Sequence, residues 1–403
     1  MYSLPSPSLL GRHARRPLTR REALTSLGTV GLVAAASPWK LLGDAQGPSH
    51  GLAGKDALLV RSVRPPDLET PVAMLDAYLT PVERFFVRSH LPVPTVDAET
   101  WRLQVDGEVT TPLSLSLDAL KALPPATVTA TFECAGNGRA FYQPAVAGIQ
   151  WERGAVGTAK WTGVRLADVL AKAGVKDGAA FVVMNGADRP LGTMPDFERQ
   201  LPIDRALHRD TLLVHTMNDA PLTAPHGFPV RVLVPGIEGA YSVKWLTSVR
   251  VVRQEFDGFW VASAYRYPTR RVAPGAAVDP KDMAPLTSLV VKSLITRPLH
   301  GAVLAPGTID VAGFAWAGEP DIARVDVSID HGATWQPARL TGESTKYTWR
   351  RFEFSFAATR PESYLVMSRA TDAAGRTQPI APPWNPSGYL WNAPDEVRID
   401  VRG

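Results

Sequence analysis

The sequence of 403 residues contains one cysteine, Cys134. A single cysteine excludes an intrachain disulfide framework, a Cys-x-x-Cys-His haem attachment and a cysteine-rich zinc site. Neither sign of charge is in large excess, because the formal net charge is +4. No dense run of lysine and arginine carries interleaved aromatics. Nucleic acid is therefore not an expected partner. Long apolar runs are missing too, so no membrane span is expected once an N-terminal signal is removed.

What remains is the composition of an ordinary globular protein, with 45% hydrophobic and 20% charged residues. Its 36 prolines and 32 glycines, without long amphipathic runs, favour a fold rich in strands and loops over a helical bundle. The length predicts two or three domains.

The N-terminal region has the pattern of an export signal. Arg20 and Arg21 form a twin-arginine pair, and a weakly apolar stretch that ends in small residues follows them. This pattern predicts a Tat signal over residues 1–45, with cleavage after Ala36 or Ala45, and hence a periplasmic protein. A disordered basic tail is the alternative interpretation.

Shifts in composition divide the rest of the chain into three segments. Residues 46–69 are polar and marked by proline and glycine, which predicts a linker or an extended arm. Residues 70–280 mix predicted strands with short helices. Residues 281–403 carry short strands with turns at regular intervals, which is typical of an Ig-like β-sandwich. The predicted helices cover 115–123 and 166–173, and the predicted strands cover 128–132, 181–184, 230–234, 290–295, 308–315, 322–329, 349–356 and 364–370.

The cysteine lies where a predicted strand ends and a loop begins. The strand over 128–132 leads into the motif C-A-G-N-G-R, residues 134–139. Loops at strand ends often present reactive groups, and a thiolate beside Arg139 would be a soft anionic metal ligand with a cation close by. A small buried hydrophobic residue is the alternative role for a lone cysteine.

A second motif places a cation and an imidazole on one side of an extended segment. Residues 85–94 read F-F-V-R-S-H-L-P-V-P, so Arg88 and His90 are two positions apart. Side chains at this spacing on an extended chain point the same way, which predicts an anion site. A surface strand with solvated charges is the alternative.

A third motif gathers hydrogen-bond donors around a glycine-rich turn. The sequence H-G-F-P-V-R, residues 226–231, places His226 just before the predicted strand over 230–234 and Arg231 near its beginning. Ser242 and Lys244 follow the turn. Such a cluster suits the terminal phosphate of a ligand.

These motifs resemble the sulfite oxidase family of molybdopterin enzymes, and they occur in the family's order over roughly residues 70–400. The resemblance implies an α+β molybdopterin-binding domain followed by an Ig-like β-sandwich that forms a homodimer. It implies oxidation of sulfite to sulfate at a molybdenum-molybdopterin cofactor, with electrons passed to a c-type cytochrome on another chain, and we expect no haem on this chain.

The resemblance also assigns site residues. Cys134 is the metal ligand, and the cofactor-binding residues are Phe86, Arg88, His90, Cys134, Asp188, His226, Arg231, Ser242 and Lys244. The residues at the substrate are Cys134, Tyr265, Arg88, Arg139 and Trp151, with Tyr267 as the fallback for Tyr265. By residue type alone, Trp151 is a core aromatic and Asp188 a common turn residue.

One position departs from the family pattern. Ser387 stands where the animal enzymes carry another substrate-binding arginine, which leaves an anion site of Arg88 and Arg139 or one completed by Arg266 or Arg270. Three other functions stay open: a sulfane-sulfur dehydrogenase subunit, a molybdenum reductase of sulfoxides, and an exported Ig-like scaffold without a cofactor.

Overall fold

The structure, a computed structural model, describes residues 51–403, so the predicted export signal lies outside the described residues. Strands dominate the part of the chain that ends at residue 285. They are β1 (Leu59–Ser62), β2 (Asp67–Glu69), β3 (Leu103–Gly107), β4 (Leu113–Leu115), β5 (Pro125–Glu133), β6 (Val156–Arg165), β7 (Phe181–Gly186), β8 (Arg199–Pro202), β9 (Leu212–Met217), β10 (Ala220–Pro221), β11 (Arg231–Leu233), β12 (Leu246–Val252), β13 (Arg266–Pro268) and β14 (Met283–Pro285).

The α-helices among the described residues are few and short. They are α1 (Leu117–Lys121), α2 (Leu166–Ala173), α3 (Ile203–Ala206) and α4 (Phe259–Ala262). None of the helices that the structure describes is both long and apolar enough to cross a membrane. Helix α2 has the predicted bounds, because Gly174 ends it with a φ of 70°. Helix α1 is shorter than predicted, since Ser116 caps it by accepting a hydrogen bond from the Ala119 amide at 3.1 Å.

Two five-stranded sheets form the body of this region. One has the order β10-β9-β6-β5, with β11 also paired to β9, and the other has the order β4-β3-β12-β7-β8. The long β5–β6 pair is antiparallel and keeps its register from Pro125 opposite Val164 to Glu133 opposite Val156. This unbroken ladder fixes the point at which the chain leaves β5 and begins the cysteine loop.

The segment predicted as a linker or extended arm folds against this body. Strands β1 and β2 pair antiparallel, Leu58 and Leu68 are buried, and Leu68 forms a bridge with Val87. The composition of this segment gives no strand signal, because the turn of the hairpin contains two prolines and an arginine. A second hairpin pairs β13 with β14, so the predicted boundary between residues 280 and 281 falls inside it.

The C-terminal region is a two-sheet sandwich, as the strand spacing predicted. Its strands are β15 (Lys292–Arg297), β16 (Ala302–Leu304), β17 (Gly307–Trp316), β18 (Ile322–Ser328), β19 (Gln336–Pro337), β20 (Arg339–Thr341), β21 (Arg350–Ala358), β22 (Ser363–Asp372) and β23 (Asp395–Val401). The sheets have the orders β15-β17-β21-β20 and β16-β23-β22-β18-β19. Their inner faces supply one apolar core, to which Val325, Phe352 and Ile399 contribute. The predicted α+β domain followed by an Ig-like sandwich is therefore confirmed.

A buried ion pair joins the sandwich to the cysteine loop. Glu133, the last residue of β5, accepts a hydrogen bond from Lys292 Nζ at 2.6 Å and from Trp316 Nε1 at 2.9 Å. It also accepts one from Asn137 Nδ2 at 2.9 Å, and Lys292 Nζ donates to the Asn137 carbonyl at 3.0 Å. The charges are paired and hydrogen-bonded, which is the condition under which buried ions are tolerated.

We expect Lys292→Met to lower the free energy of unfolding by about 3 kcal/mol, because it leaves the Glu133 carboxylate buried without its cation. Urea unfolding of both forms measures the change. Lys281→Met is the matched control, since Lys281 forms an exposed pair with Asp279, and exposed pairs contribute at most about 1 kcal/mol. Equal losses in the two variants would contradict the structural role of Lys292.

Candidate functional site

A cleft lies next to the end of β5. Its wall combines the segment before residue 91, the cysteine loop, and the loops on both sides of β11. Every predicted site residue except Arg139 and Trp151 lies on this wall. These residues are Phe86, Arg88, His90, Cys134, Asp188, His226, Arg231, Ser242, Lys244 and Tyr265.

Cys134 is held by backbone contacts on both sides. Its amide donates to the Ala155 carbonyl at 3.0 Å, and its carbonyl accepts from the Asn137 amide at 2.9 Å. The loop then turns at Gly138, whose φ is 93° and where a Cβ atom would meet the Trp391 ring at 2.5 Å. Glycine is therefore required at this turn. The sulfur has the rigid setting that a ligand needs.

The protonation of Cys134 responds to opposing influences. Burial raises the pKa of the thiol, while Arg88, Arg139 and the Gly136 amide act in the opposite direction. In the protein alone, the thiol form is therefore favoured. A bound cation would favour the thiolate, since metal ligation deprotonates cysteine.

Arg88 is the cation on the wall beside this cysteine. Its Nη1 donates to Asp67 Oδ1 at 3.2 Å and to the Ser89 carbonyl. Burial opposes the charged form of Arg88, but Asp67, with Tyr265 and Cys134, outweighs burial and raises the pKa of Arg88. Arg88 thus stays charged, and its Nε and Nη2 have no hydrogen-bond partner among the described residues. It can bind an anion.

His90 and Tyr265 form a neutral hydrogen-bonded pair. His90 Nε2 lies 2.5 Å from Tyr265 Oη, and the imidazole stacks on Phe197 with ring centroids 4.0 Å apart. Burial, with Arg88, Arg199 and Lys244 nearby, lowers the pKa of His90 well below its ordinary value. Burial likewise raises the pKa of Tyr265 well above its ordinary value. The pair therefore offers a phenol proton and an uncharged ring.

A second group on the wall carries buried positive charge. Arg231 donates to the carbonyls of His226 at 3.2 Å and Ser242 at 3.0 Å, and burial lowers the pKa of Arg231 to about 9. Lys244 donates to Ser89 Oγ at 2.9 Å, and burial followed by the charge of Arg231 lowers the pKa of Lys244 well below its ordinary value. Within the described residues, neither cation forms an ion pair with a carboxylate. An anionic ligand would stabilise both.

Two carboxyl groups on the wall have an oxygen without a hydrogen-bond partner among the described residues. These are Asp188 Oδ1 and Glu238 Oε1. Burial raises the pKa of Asp188 to about 6, although Lys244 acts in the opposite direction, and burial raises the pKa of Glu238 to about 7 against the effect of Arg199. Orphaned buried oxygens need an explanation, and a missing hydrogen-bond donor is the simplest one.

The remaining two predicted residues lie behind the wall. Trp151 is fully buried and packs edge-on against Phe86, with ring centroids 6.4 Å apart. It was expected to line the pocket, but it lies in the core. Arg139 donates to the carbonyls of Ile149 at 3.0 Å and Ser387 at 3.3 Å. These two bonds hold its guanidinium beside the loops that flank the cysteine, and the Ile149 carbonyl also accepts from the Trp151 amide at 3.0 Å. Arg139 acts on Cys134 through its charge.

The arginines proposed to replace the one absent at position 387 are also engaged elsewhere. Arg266 donates to the carbonyls of Val261 at 3.2 Å and Met283 at 2.8 Å, and Arg270 pairs with Asp282 at 3.1 Å on the surface. Neither lies on the cleft wall. Of the two tyrosine candidates, Tyr265 lies on the wall and Tyr267 does not.

Sequence reasoning missed several residues at this site. Glu238 lies on the wall, and Arg199 sits 3.9 Å from it with its guanidinium over the Tyr265 ring at 4.7 Å. Lys55 reaches His226 from the arm before β1, with Nζ 2.8 Å from Nε2. No motif contains any of the three, and only the fold brings them to the cleft.

Two models of protein families match the chain. The model of the oxidoreductase molybdopterin-binding domain matches residues 90–260, and the model of the Mo-co oxidoreductase dimerisation domain matches residues 284–402. The first covers most of the cleft, and the second covers the sandwich.

The chain is similar to sulfite oxidases and to one solved sulfane dehydrogenase. It is 40% identical to mitochondrial sulfite oxidase of Mus musculus over 86% of this chain and 66% of that protein, just under two thirds of its length. It is 38% identical to sulfite oxidase of Gallus gallus over 87% of this chain and 80% of that protein. The sulfane dehydrogenase SoxCD from Paracoccus pantotrophus superposes with a TM-score of 0.73 and 26% identity, covering 93% of this chain and all of that one.

Asp188 gives the cofactor-free protein a defined pH dependence. Its pKa in the folded state is about 6, above the ordinary 3.8, so ionisation favours the unfolded state. Stability therefore falls as the pH rises between these two values and then levels off. We expect Asp188→Asn to become more stable than the unsubstituted protein across this window, by roughly 3 kcal/mol above it. Urea unfolding of both cofactor-free forms across the window tests this, and a difference that does not vary with pH would contradict it.

Proposed function

The chain belongs to the sulfite oxidase family, and we propose that it oxidises sulfite to sulfate at a molybdenum-molybdopterin cofactor and passes the electrons to a c-type cytochrome on another chain. One observation carries this proposal. A single cleft joins Cys134 and the charged Arg88 with buried cations that form no ion pair with a carboxylate among residues 51–403. A soft metal ligand and sites for anions are what this cofactor and this substrate require.

The donor set fits the cofactor. Arg231, Lys244, His226 and Ser242 would hold a terminal phosphate, since charged donors bind phosphate oxygens strongly. Asp188, whose Oδ1 has no hydrogen-bond partner within the described range, would accept from a pterin N–H. Cys134 would be the protein's ligand to molybdenum. When bound, this group supplies oxygen-atom transfer and redox chemistry.

The chain's own residues would bind and aim the substrate. Sulfite carries negative charge near neutral pH, so the charged Arg88 would donate to its oxygens, and Asp67 keeps the guanidinium in place at 3.2 Å. Arg139 would contribute charge from behind the cysteine loop. The position of Ser387 contributes its carbonyl to Arg139 and no cation. We infer that the anion site depends on Arg88.

The net reaction also releases protons, because sulfite and water give sulfate, two protons and two electrons. Tyr265 and His90 supply a neutral path for a proton at Oη and Nε2, which lie 2.5 Å apart. Burial keeps both groups uncharged. They would therefore orient a polar ligand without adding charge that repels or traps an anion.

We extend the proposal to the location and the partners of the protein. We infer export through the Tat pathway to the periplasm, which suits a protein that folds around its cofactor before export. We infer a homodimer, supported by the similarity of residues 284–402 to a dimerisation domain. We also infer that any haem lies on the partner cytochrome.

A second candidate is oxidation of sulfane sulfur within a thiosulfate-oxidising complex. It is supported by the superposition on the sulfane dehydrogenase over 93% of this chain. The absence of an arginine at position 387 also favours a substrate with less charge than sulfite. Free sulfite would then be a poor substrate.

Sulfite-dependent reduction of cytochrome c or ferricyanide, by protein whose molybdenum content is assayed on the same sample, tests the proposal. We expect turnover with about one metal per chain, because one cysteine ligand serves one centre. Loaded protein that is inactive with sulfite but active with a protein-bound sulfane sulfur would favour the second candidate. Protein that lacks molybdenum, from a host that makes the cofactor, would favour the scaffold instead.

Arg88→Met should raise the sulfite KM at least about tenfold, because it removes a charge-assisted hydrogen bond worth roughly 1.5–3 kcal/mol. Arg266→Met is the control, since Arg266 contacts only backbone carbonyls away from the wall. Steady-state kinetics on samples of equal molybdenum content give both values. An unchanged KM in the Arg88 variant would remove that residue from the anion site.

A further inference from the structure

Lys55 is a buried charged residue that no motif of the sequence contains. It lies in the arm before β1, beyond both expected cleavage points of the signal, and is 3% exposed. Lysine is almost never buried to this extent unless its ammonium has partners. The partners of Lys55 all belong to the segments that form the cleft.

Three contacts surround the Lys55 ammonium. Nζ donates to the carbonyl of Phe85 at 2.8 Å and to that of Val82, and it lies 2.8 Å from His226 Nε2. An ammonium has three donors and no acceptor, so these contacts use all of its hydrogens. In the charged form of Lys55, Nε2 must accept, which leaves the proton of the neutral His226 ring on Nδ1.

Charge explains why this arrangement needs a ligand. Burial lowers the pKa of Lys55 to about 7 against the effect of Glu83, and burial, with Lys55, Arg231 and Lys244 nearby, lowers the pKa of His226 well below its ordinary value. The protein alone therefore holds more buried positive charge here than it stabilises. A bound anion beside His226 would favour the ammonium form of Lys55.

We propose that Lys55 is a positioning residue for the cofactor, which orients His226 and adds positive charge behind it, so that the N-terminal arm is part of the phosphate-binding site. This inference rests on the proposed function, since the anion is the phosphate of molybdopterin. Lys55 also ties the segment that carries Phe85 to the loop that carries His226. Loss of this tie should loosen cofactor binding without changing any residue on the wall.

Cofactor retention tests the inference. The unsubstituted protein and Lys55→Met are purified from a host that makes molybdopterin, and molybdenum and pterin per chain are assayed during prolonged dialysis. We expect Lys55→Met to lose both at least about tenfold faster, as partners behind a ligand commonly contribute this much to affinity. Loss at the unsubstituted rate would overturn the inference.

Arg61→Met is the matched control, because Arg61 lies in the adjoining strand β1 and its two ion pairs, with Glu69 at 2.6 Å and Glu152 at 3.0 Å, do not involve His226. We expect it to keep the cofactor at the unsubstituted rate. Cofactor loss equal to that of Lys55→Met would show that general loosening of the arm is responsible, and would overturn the specific role of Lys55. Should Lys55→Met not fold, Lys55→Gln enters the same comparison.

A double-mutant cycle distinguishes an effect of Lys55 on the orientation of His226 from an independent effect of the Lys55 charge on the phosphate. If Lys55 acts through His226, adding Lys55→Met to His226→Ala should cause little further cofactor loss. A full additional loss would overturn the positioning role. Failure of the proposed function is distinguishable, because unsubstituted protein without pterin rejects both proposals, whereas loaded protein with an equally retentive Lys55 variant rejects this one alone.

Discussion

The contact between Glu133 and Lys292 is the constraint on which the geometry of the site depends. Glu133 is the residue before Cys134, and its carboxylate is bound on the sandwich side by Lys292 Nζ at 2.6 Å and Trp316 Nε1 at 2.9 Å. On the other side of the cysteine, the Ala135 carbonyl accepts from the Leu390 amide at 2.9 Å. The sandwich therefore holds both neighbours of the cysteine. The region that matches the dimerisation-domain model therefore also stabilises the cysteine loop.

The cleft itself is electrostatically incomplete. Arg231 and Lys244 are buried without a carboxylate partner in the part of the chain that the structure describes, and Lys55 adds a further cation behind His226. Such charges oppose folding of the protein alone, so they are better understood as pre-organisation for an anion than as sources of stability. Asp188 Oδ1 is consistent with this interpretation, because it is buried and accepts no hydrogen bond from the described residues. Functional sites commonly break the rules that the rest of a fold obeys.

The anion site near the cysteine has a composition that separates this chain from the pattern expected of the animal enzymes. Ser387 donates its hydroxyl to the Arg266 carbonyl and offers its own carbonyl to Arg139. The serine thereby shapes the loop around Arg139 instead of presenting a charge. Buried Arg199, near Tyr265, brings positive charge from another strand, although Glu238 at 3.9 Å offsets part of it. Positive charge in this part of the cleft therefore comes from arginines such as Arg88 and Arg199, and not from position 387.

Local sequence determined the elements and the motif residues. The predicted strand over 128–132, the predicted helix over 166–173 and the regular strand spacing from residue 290 match elements that the structure contains, because propensity and burial act over a few residues. The motifs around Arg88, Cys134 and His226 predicted wall residues through their resemblance to the family. Tertiary structure alone decided that Lys55 and Glu238 join them, and that Trp151 lies behind the wall. These outcomes depend on contacts between segments far apart in the chain, which no local pattern encodes.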